Sequence, residues 1–421
     1  MREVAITGAG IWTASAVGLE EFGSVLRDGA AAFSLISGPD LGLPSDVEMY
    51  CSAIARSEVA KVARSASNIH PNLESLPRLA AGASLPLTSA LVVAAQAACG
   101  AGLIGDRRRE CASTTVIIAG SNFSLRESEA LATSAQASPR SVLPSHLLRH
   151  MDVDLVGAVS GLLGLQGMGF VAGAGPASGT SACALAHAML AGGVTDRCLV
   201  VAPASPLGPA EVAAALASGA MATPEPHTSP QDSCRPFDRK RRGFVYGDGA
   251  AAIVLETGSS CTDVTRLGRV LGSSQVLDGV RGTRPSADGQ LQSMRRSITA
   301  AGIDISSIDY INAHAAGSIV GDPIEMAAIA ELVGRNRKAP IVNSTKSIVG
   351  HCLGSAGLVE VVATLIQLRE GFVHGNLNLS QPLACDLHLA SPQSMPHEFS
   401  CALVNSVGFS GINSSLVLAA H

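Results

Sequence analysis

The sequence predicts a mixed α/β protein with mostly buried sheets. Short β-rich runs alternate with helix-like segments along the whole chain. Of 421 residues, 47% are apolar, enough for a sizeable core. Only 3% are aromatic and 44 are glycine, which calls for closely packed small side chains.

The β-rich runs are Val4–Thr7, Thr114–Ile118, Phe170–Ala172, Leu199–Ala202 and Ala250–Leu255, then Tyr310–Asn312, Ile341–Asn343, Ala402–Asn405 and Leu416–Leu418. Helix-like segments at Ser89–Ala101, Ala177–Ala191, Asp322–Val333 and Leu358–Arg369 separate them. The last two strands are joined only through Val407–Asn413, so they are expected as antiparallel neighbours. Ala222–Arg235 is rich in Pro, Ser and Thr, and Leu379–His397 holds three prolines, so both read as loops. A seam is expected at Gly258–Val264, dividing residues 1–257 from residues 258–421. No repeat is legible across it.

Net charge is −5 and no basic patch stands out, which argues against nucleic acid as a partner. Ten cysteines are scattered without a CxxC pair, so buried thiols are expected and no metal site or disulfide framework. The start, MREVAITGAG, enters an apolar strand at once and lacks the pattern of a signal peptide. The apolar stretch Val153–Gly175 contains Asp154, Gln166 and several glycines, and reads as a buried core segment, not a membrane span. These features together read as a cytoplasmic protein.

Four motifs carry candidate chemistry. In Ile311-Asn-Ala-His314-Ala-Ala-Gly-Ser318, a strand ends at His314, where α/β folds place reactive side chains. The Asp322-Pro-Ile-Glu325 that follows reads as a helix cap, with Asp322 as N-cap and Glu325 reaching back. Asn343-Ser-Thr-Lys346-Ser-Ile-Val-Gly-His351 runs from strand to glycine-rich loop to helix. Lys346 is one of only four lysines against 25 arginines, so its place between an apolar strand and that loop is notable. Two neutral imidazoles can donate hydrogen bonds to a thioester oxygen and stabilise an enolate. Asn405-Ser-Val-Gly408-Phe409-Ser-Gly411 is either a plain hairpin or a turn whose amides face a cavity. Cys234–Gly249 is a loop leading into a strand, and its charge run also reads as a solvated face.

In this order, and with Ile6-Thr-Gly-Ala-Gly10 at the start, the motifs resemble the β-ketoacyl synthase family over nearly the whole chain. The resemblance implies a thiolase fold: two similar halves in a five-layer α/β/α/β/α sandwich, working as a dimer. It implies that His314 and His351 are the family histidines, Lys346 the family lysine and Phe409 the loop phenylalanine. Family members condense an acyl chain held on a cysteine with malonyl units on an acyl carrier protein, whose phosphopantetheine arm presents the substrate. No cofactor of the chain's own is implied.

The family cysteine opens a helix just after a strand, where the helix dipole stabilises a thiolate. Here that position falls on Pro176, counting either from Gly169–Ala172 or from Gly164-Leu-Gln-Gly167. Proline suits a first helical turn. It has no nucleophilic atom and no N–H for the oxyanion hole that the resemblance implies. Cys183, two helical turns on, reads as a packing residue. Ala316 and Ser318 stand where the family has two threonines that hold the pantetheine arm, and Val407 and Ser410 replace the usual residues beside Phe409.

The resemblance therefore implies, first, a subunit like a chain-length factor. Such a subunit pairs with a catalytic ketosynthase as a heterodimer, meets the acyl carrier protein and shapes the acyl tunnel of a polyketide or polyene system. The alternative is a decarboxylase of malonyl–acyl carrier protein, since His314, Lys346 and His351 are all retained. A third reading is a noncatalytic scaffold for the carrier protein.

Overall fold

The computed structural model describes residues 2–41, 43–105, 110–138, 140, 142–258, 266–334, 339–384 and 386–421. Residues 259–264 of the expected seam lie outside them.

Among the described residues, eleven strands join in one sheet. They are β1 Val4–Thr13, β2 Thr115–Ala119, β3 Gly169–Ala172, β4 Arg197–Ala202, β5 Gly249–Thr257 and β6 Gly268–Leu277. Then come β7 Tyr310–Asn312, β8 Ile341–Asn343, β9 His388–Leu389, β10 Cys401–Val407 and β11 Ile412–Ala419. The spatial order is β9-β8-β7-β10-β11-β6-β1-β5-β4-β2-β3.

A duplication hides in that order. Read inward from the edge, β3-β2-β4-β5-β1 matches β8-β7-β10-β11-β6, two parallel pairings followed by two antiparallel ones in each half. Among the described residues the two halves of the sheet pair edge to edge where Val4, Ala5 and Ile6 face Val270, Arg269 and Gly268. The last two strands pair antiparallel, as their short connection requires.

Six helices build the layers: α1 Leu85–Gly100, α2 Val153–Leu163, α3 Ser178–Ala191, α4 Ala287–Ala301, α5 Gly321–Val333 and α6 Ala356–Glu370. α3 and α6 lie against each other and against strands of both halves, so they form the middle layer. Their backbones meet where a Cβ on Gly179 would stand 2.4 Å from the Leu358 nitrogen. A larger residue there would drive the layer apart. Each Leu, Val or Ile fully buried in this layer contributes about 1.5–3 kcal/mol. α1 and α2 cover the outer face of one half, and α4 and α5 cover the other.

Strand β6 was not legible in the sequence. Its inward positions include Gly268, Gly272 and Ser274. Gly272 is small because α4 lies close, a Cβ there falling 2.2 Å from the Ser297 carbonyl oxygen, and Gly268 because α6 does, a Cβ there falling 2.7 Å from the Leu365 side chain. The stretch Val153–Gly175 is corrected too. It divides into α2, which buries Leu155, Val159, Leu162 and Leu163, and edge strand β3, and it leaves Val153, Met168 and Phe170 exposed. Among the described residues, no helix is long and apolar enough to cross a membrane. The eight described cysteines are all free, and seven are buried.

Candidate active site

Parallel pairing of β7 with β8 sets Asn312 opposite Asn343. His314 and Lys346 follow these strand ends, so both emerge at the same edge of the sheet. Lys346 opens a one-turn helix, Lys346–Val349, which Gly350 ends at φ 73°. That positive φ returns the chain so that the His351 amide donates to the Val245 carbonyl at 2.7 Å. The Gly247 amide donates to the His351 carbonyl at 3.1 Å. His351 is thus fixed by its backbone before its ring is considered.

The two imidazoles meet edge to face, with ring centres 5.3 Å apart and planes at 83°. The Phe244 ring packs on the other side of His351 at 5.4 Å, again edge-on. The Leu353 amide donates to His351 Nδ1 at 3.2 Å. A nitrogen that accepts carries no proton, so the ring proton sits on Nε2. His314 is half-buried, and its Nδ1 is buried without a hydrogen-bond partner. Burial, then the Lys346 charge and then His351 hold the His314 pKa well below 6.5. Burial and Lys346 do the same to His351. Both rings are neutral at pH 7.

Lys346 is buried and ion-pairs with equally buried Glu360 of α6. Sequence reasoning missed Glu360. Its signal was a lone acid in the otherwise apolar run Leu358–Ala363.

Asp322 and Glu325 are structural, but not as a cap. Helix α5 begins at Gly321, with Val320 as N-cap. Asp322 instead accepts the amides of Phe237, Ala316, Gly317 and Ser318 at 2.9–3.2 Å. It gathers the loop after His314 into a tight turn. Glu325 accepts the His314 amide at 2.8 Å and the Asn405 side-chain amide at 2.7 Å. The first and third motifs are joined through it. Burial pushes the Glu325 pKa up to about 7 and that of Asp322 to about 6.

The fourth motif is more than a solvated face. Arg241 donates to the carbonyls of Ser318 and Ile319 at 2.9 and 2.8 Å. The Gly243 amide reaches the Gly317 carbonyl at 2.9 Å. This loop therefore carries Ala316, which is buried, and Ser318, whose Oγ accepts the Gly321 amide at 2.9 Å.

Pro176 sits in the 3-10 turn Gly175–Ala177 that leads into α3. Ser178 closes the turn: its Oγ accepts the Ala174 amide at 2.8 Å and donates to the Gly175 carbonyl at 2.6 Å. The Phe409 loop lies against it. A Cβ on Gly408 would be 2.5 Å from the Ala174 carbonyl oxygen, and one on Gly175 would be 3.9 Å from the Phe409 nitrogen. The turn Leu353–Ser355, just after His351, packs on the Pro176 turn as well. The Phe409 side chain is 52% exposed and points away from the packed core. Cys183 is fully buried in the middle layer, and burial raises its pKa far above the thiol range, so it is a packing residue.

The profile for the β-ketoacyl synthase N-terminal domain matches residues 1–260, and that for the C-terminal domain matches residues 267–380. The polyketide biosynthesis malonyl-ACP decarboxylase PksF of Bacillus subtilis is 30% identical over 420 residues, 99% of this chain and 96% of PksF. The chloroplastic 3-oxoacyl-[acyl-carrier-protein] synthase II of Arabidopsis thaliana is 39% identical over 201 residues, 46% of this chain and 37% of that one. A β-ketoacyl synthase from Burkholderia phymatum superposes with TM-score 0.85 at 26% identity, covering 100% of both chains. The ishigamide ketosynthase/chain length factor gives TM-score 0.85 at 22% identity, covering 100% of this chain and 99% of that one. The chain belongs to the β-ketoacyl synthase family and has its thiolase-like fold.

Proposed function

We propose that this chain decarboxylates a malonyl group carried on an acyl carrier protein, leaving the acetyl form. The observation that carries this reading is the pair of neutral imidazoles, His314 and His351, facing each other beside buried Lys346. Decarboxylation needs no nucleophile on the enzyme. The bond between the α-carbon and the carboxylate breaks, carbon dioxide leaves, and the electron pair moves onto the thioester oxygen as an enolate. His351 Nε2–H and the facing His314 ring stabilise that oxygen as its charge develops. The α-carbon then takes a proton from water. Burial, reinforced by the charge of Lys346 tied to Glu360, keeps both rings neutral, each with one N–H to donate. The full-length similarity to a relative named malonyl-ACP decarboxylase supports the same reading.

Pro176 fits it. The turn keeps its shape while losing the atom that would capture an acyl chain. Ser318, whose hydroxyl hydrogen is left free to donate, Ala316 and Phe409 flank the path of the phosphopantetheine arm in this proposal. The arm arrives with the carrier protein in the cytoplasm, and the chain holds no cofactor of its own.

A second reading, a chain-length-factor-like partner of a catalytic ketosynthase, is favoured by one surface. Among the described residues edge strand β3 is unpaired on its outer side and exposes Phe170, with Met168 exposed just before it and Val153 of α2 and Leu185 of α3 exposed on the helices packed against it. Incubating the purified chain with malonyl–acyl carrier protein and weighing the product separates the two. Acetyl–acyl carrier protein from the chain alone supports decarboxylation. No acetyl product alone, but longer chains on co-expression with a ketosynthase, overturns it in favour of the partner role.

A further inference from the structure

Behind the Lys346 turn lies a closed set of polar side chains that the chemistry above does not use. Asn312, Asn343, Thr345, Gln367 and His374 are all 0% exposed. Polar groups buried this deeply are hydrogen-bonded, here to one another, so their directions can be worked out.

His374 Nδ1 lies 2.9 Å from the Gly375 carbonyl oxygen, and its Nε2 lies 3.0 Å from Thr345 Oγ1. A carbonyl only accepts, so Nδ1 carries the proton and bare Nε2 accepts the Thr345 hydroxyl. The Asn343 side-chain nitrogen, 3.2 Å from Nδ1, donates one of its two hydrogens to the closer His374 carbonyl at 2.7 Å. The His374 amide donates to Gln367 Oε1 at 2.9 Å, which fixes the ring's own backbone. Burial lowers the His374 pKa to about 4, so the ring stays neutral.

With its hydrogen committed to His374, Thr345 Oγ1 turns a lone pair to Asn312 Nδ2, 2.8 Å away. The same Asn312 nitrogen lies 3.3 Å from Thr364 Oγ1 and 3.4 Å from the Glu360 carbonyl. Each contact belongs to a different part of the site. Asn312 ends the strand two residues before His314, Thr345 precedes Lys346, and Glu360 is the counter-ion of Lys346.

We infer that His374 is a positioning residue: by fixing the direction of the Thr345 hydroxyl, it lets Asn312 lock the Lys346–Glu360 pair to the strand that delivers His314. Its rate readout rests on the decarboxylase reading; its spectroscopic readout does not. Displacement of a catalytic array by about 1 Å costs about 100-fold.

Histidine-selective 15N labelling of the full chain reads the tautomer, with H374F assigning the resonance. His374 is expected with Nδ1 protonated and Nε2 bare; the opposite tautomer overturns the inference. Thr345→Val keeps the side-chain shape and removes the hydroxyl, and Thr345→Ser keeps the hydroxyl. T345V is expected to lower kcat for acetyl–acyl carrier protein about 10- to 100-fold with KM unchanged, and T345S to restore it. T345V with wild-type kcat overturns the inference. If the wild-type chain makes no acetyl product, the proposed function fails, and the His314 and His351 ring resonances still decide. They are expected to shift in T345V and H374F but not in T345S. Unshifted rings in T345V overturn the inference.

Discussion

Two turns at the heart of this molecule have parted ways. The Pro176 turn keeps its fold without a nucleophile, whereas the His314–Lys346–His351 cluster keeps both its fold and its two facing imidazoles. The Pro176 turn is held by Ser178 and by close backbone packing against Gly408 and Gly354, none of which needs the side chain at 176. Replacing that side chain is cheap. The histidine cluster rests on a buried ion pair, a backbone-clamped ring and a carboxyl shared between two motifs. Its parts are mutually dependent. A turn closed without the side chain at its centre can lose a function alone; an interlocked cluster tends to be kept whole.

That contrast can be broken by experiment. The largest effect is expected from H314A and H351A, each lowering acetyl–acyl carrier protein formation about 100- to 1,000-fold when single turnovers are followed by mass spectrometry. Equal rates in wild type and both variants would falsify the assignment of the chemistry to this pair. Next is K346M, which leaves Glu360 buried without its partner and should destabilise the fold by about 3–5 kcal/mol in urea titrations.

A smaller, pH-dependent effect is expected from E325Q. The folded-state pKa of Glu325 is raised from 4.5 to about 7, so its contribution to stability is complete at low pH and is lost as pH rises through that window. Glutamine does not titrate. The stability of E325Q relative to wild type should therefore grow between pH 5 and pH 8, by up to about 3 kcal/mol. A flat difference would show that Glu325 is already ionised throughout. The smallest effect belongs to P176A, with stability changed by about 1 kcal/mol or less and the decarboxylation rate held. A large rate change there would mean that the Pro176 turn still takes part in the chemistry.

Much of the site was legible in the sequence because it lies where strands end. His314, Lys346 and His351 follow β-rich runs and precede glycines, and both signals are local. Pro176 was legible for the same reason, and being a purely local mismatch it put the role of a noncatalytic partner first. What favours decarboxylation is not local. The facing of two rings from neighbouring strand ends exists only once β7 and β8 pair. Asp322 and Glu325 were assigned to a cap because Asp-Pro-x-Glu satisfies a nearby helix start in principle; here longer-range amides claimed both carboxyls. The duplication stayed hidden because it is conserved as strand order, which needs no shared residues.

Strand β1 has a consequence for how the molecule is made. Val4–Thr13 pairs along its length with Gly249–Thr257 and touches Gly268–Val270, so the centre of the sheet waits for partners synthesised far downstream. At about 5–20 residues per second, that wait is roughly 12–50 seconds on the ribosome. Throughout it a strand that ends up buried along its whole length waits for its partners. Nucleation must come late and from non-local contacts, the slow kind, and the nascent chain is expected to lean on a holding chaperone until residue 257 has cleared the exit tunnel.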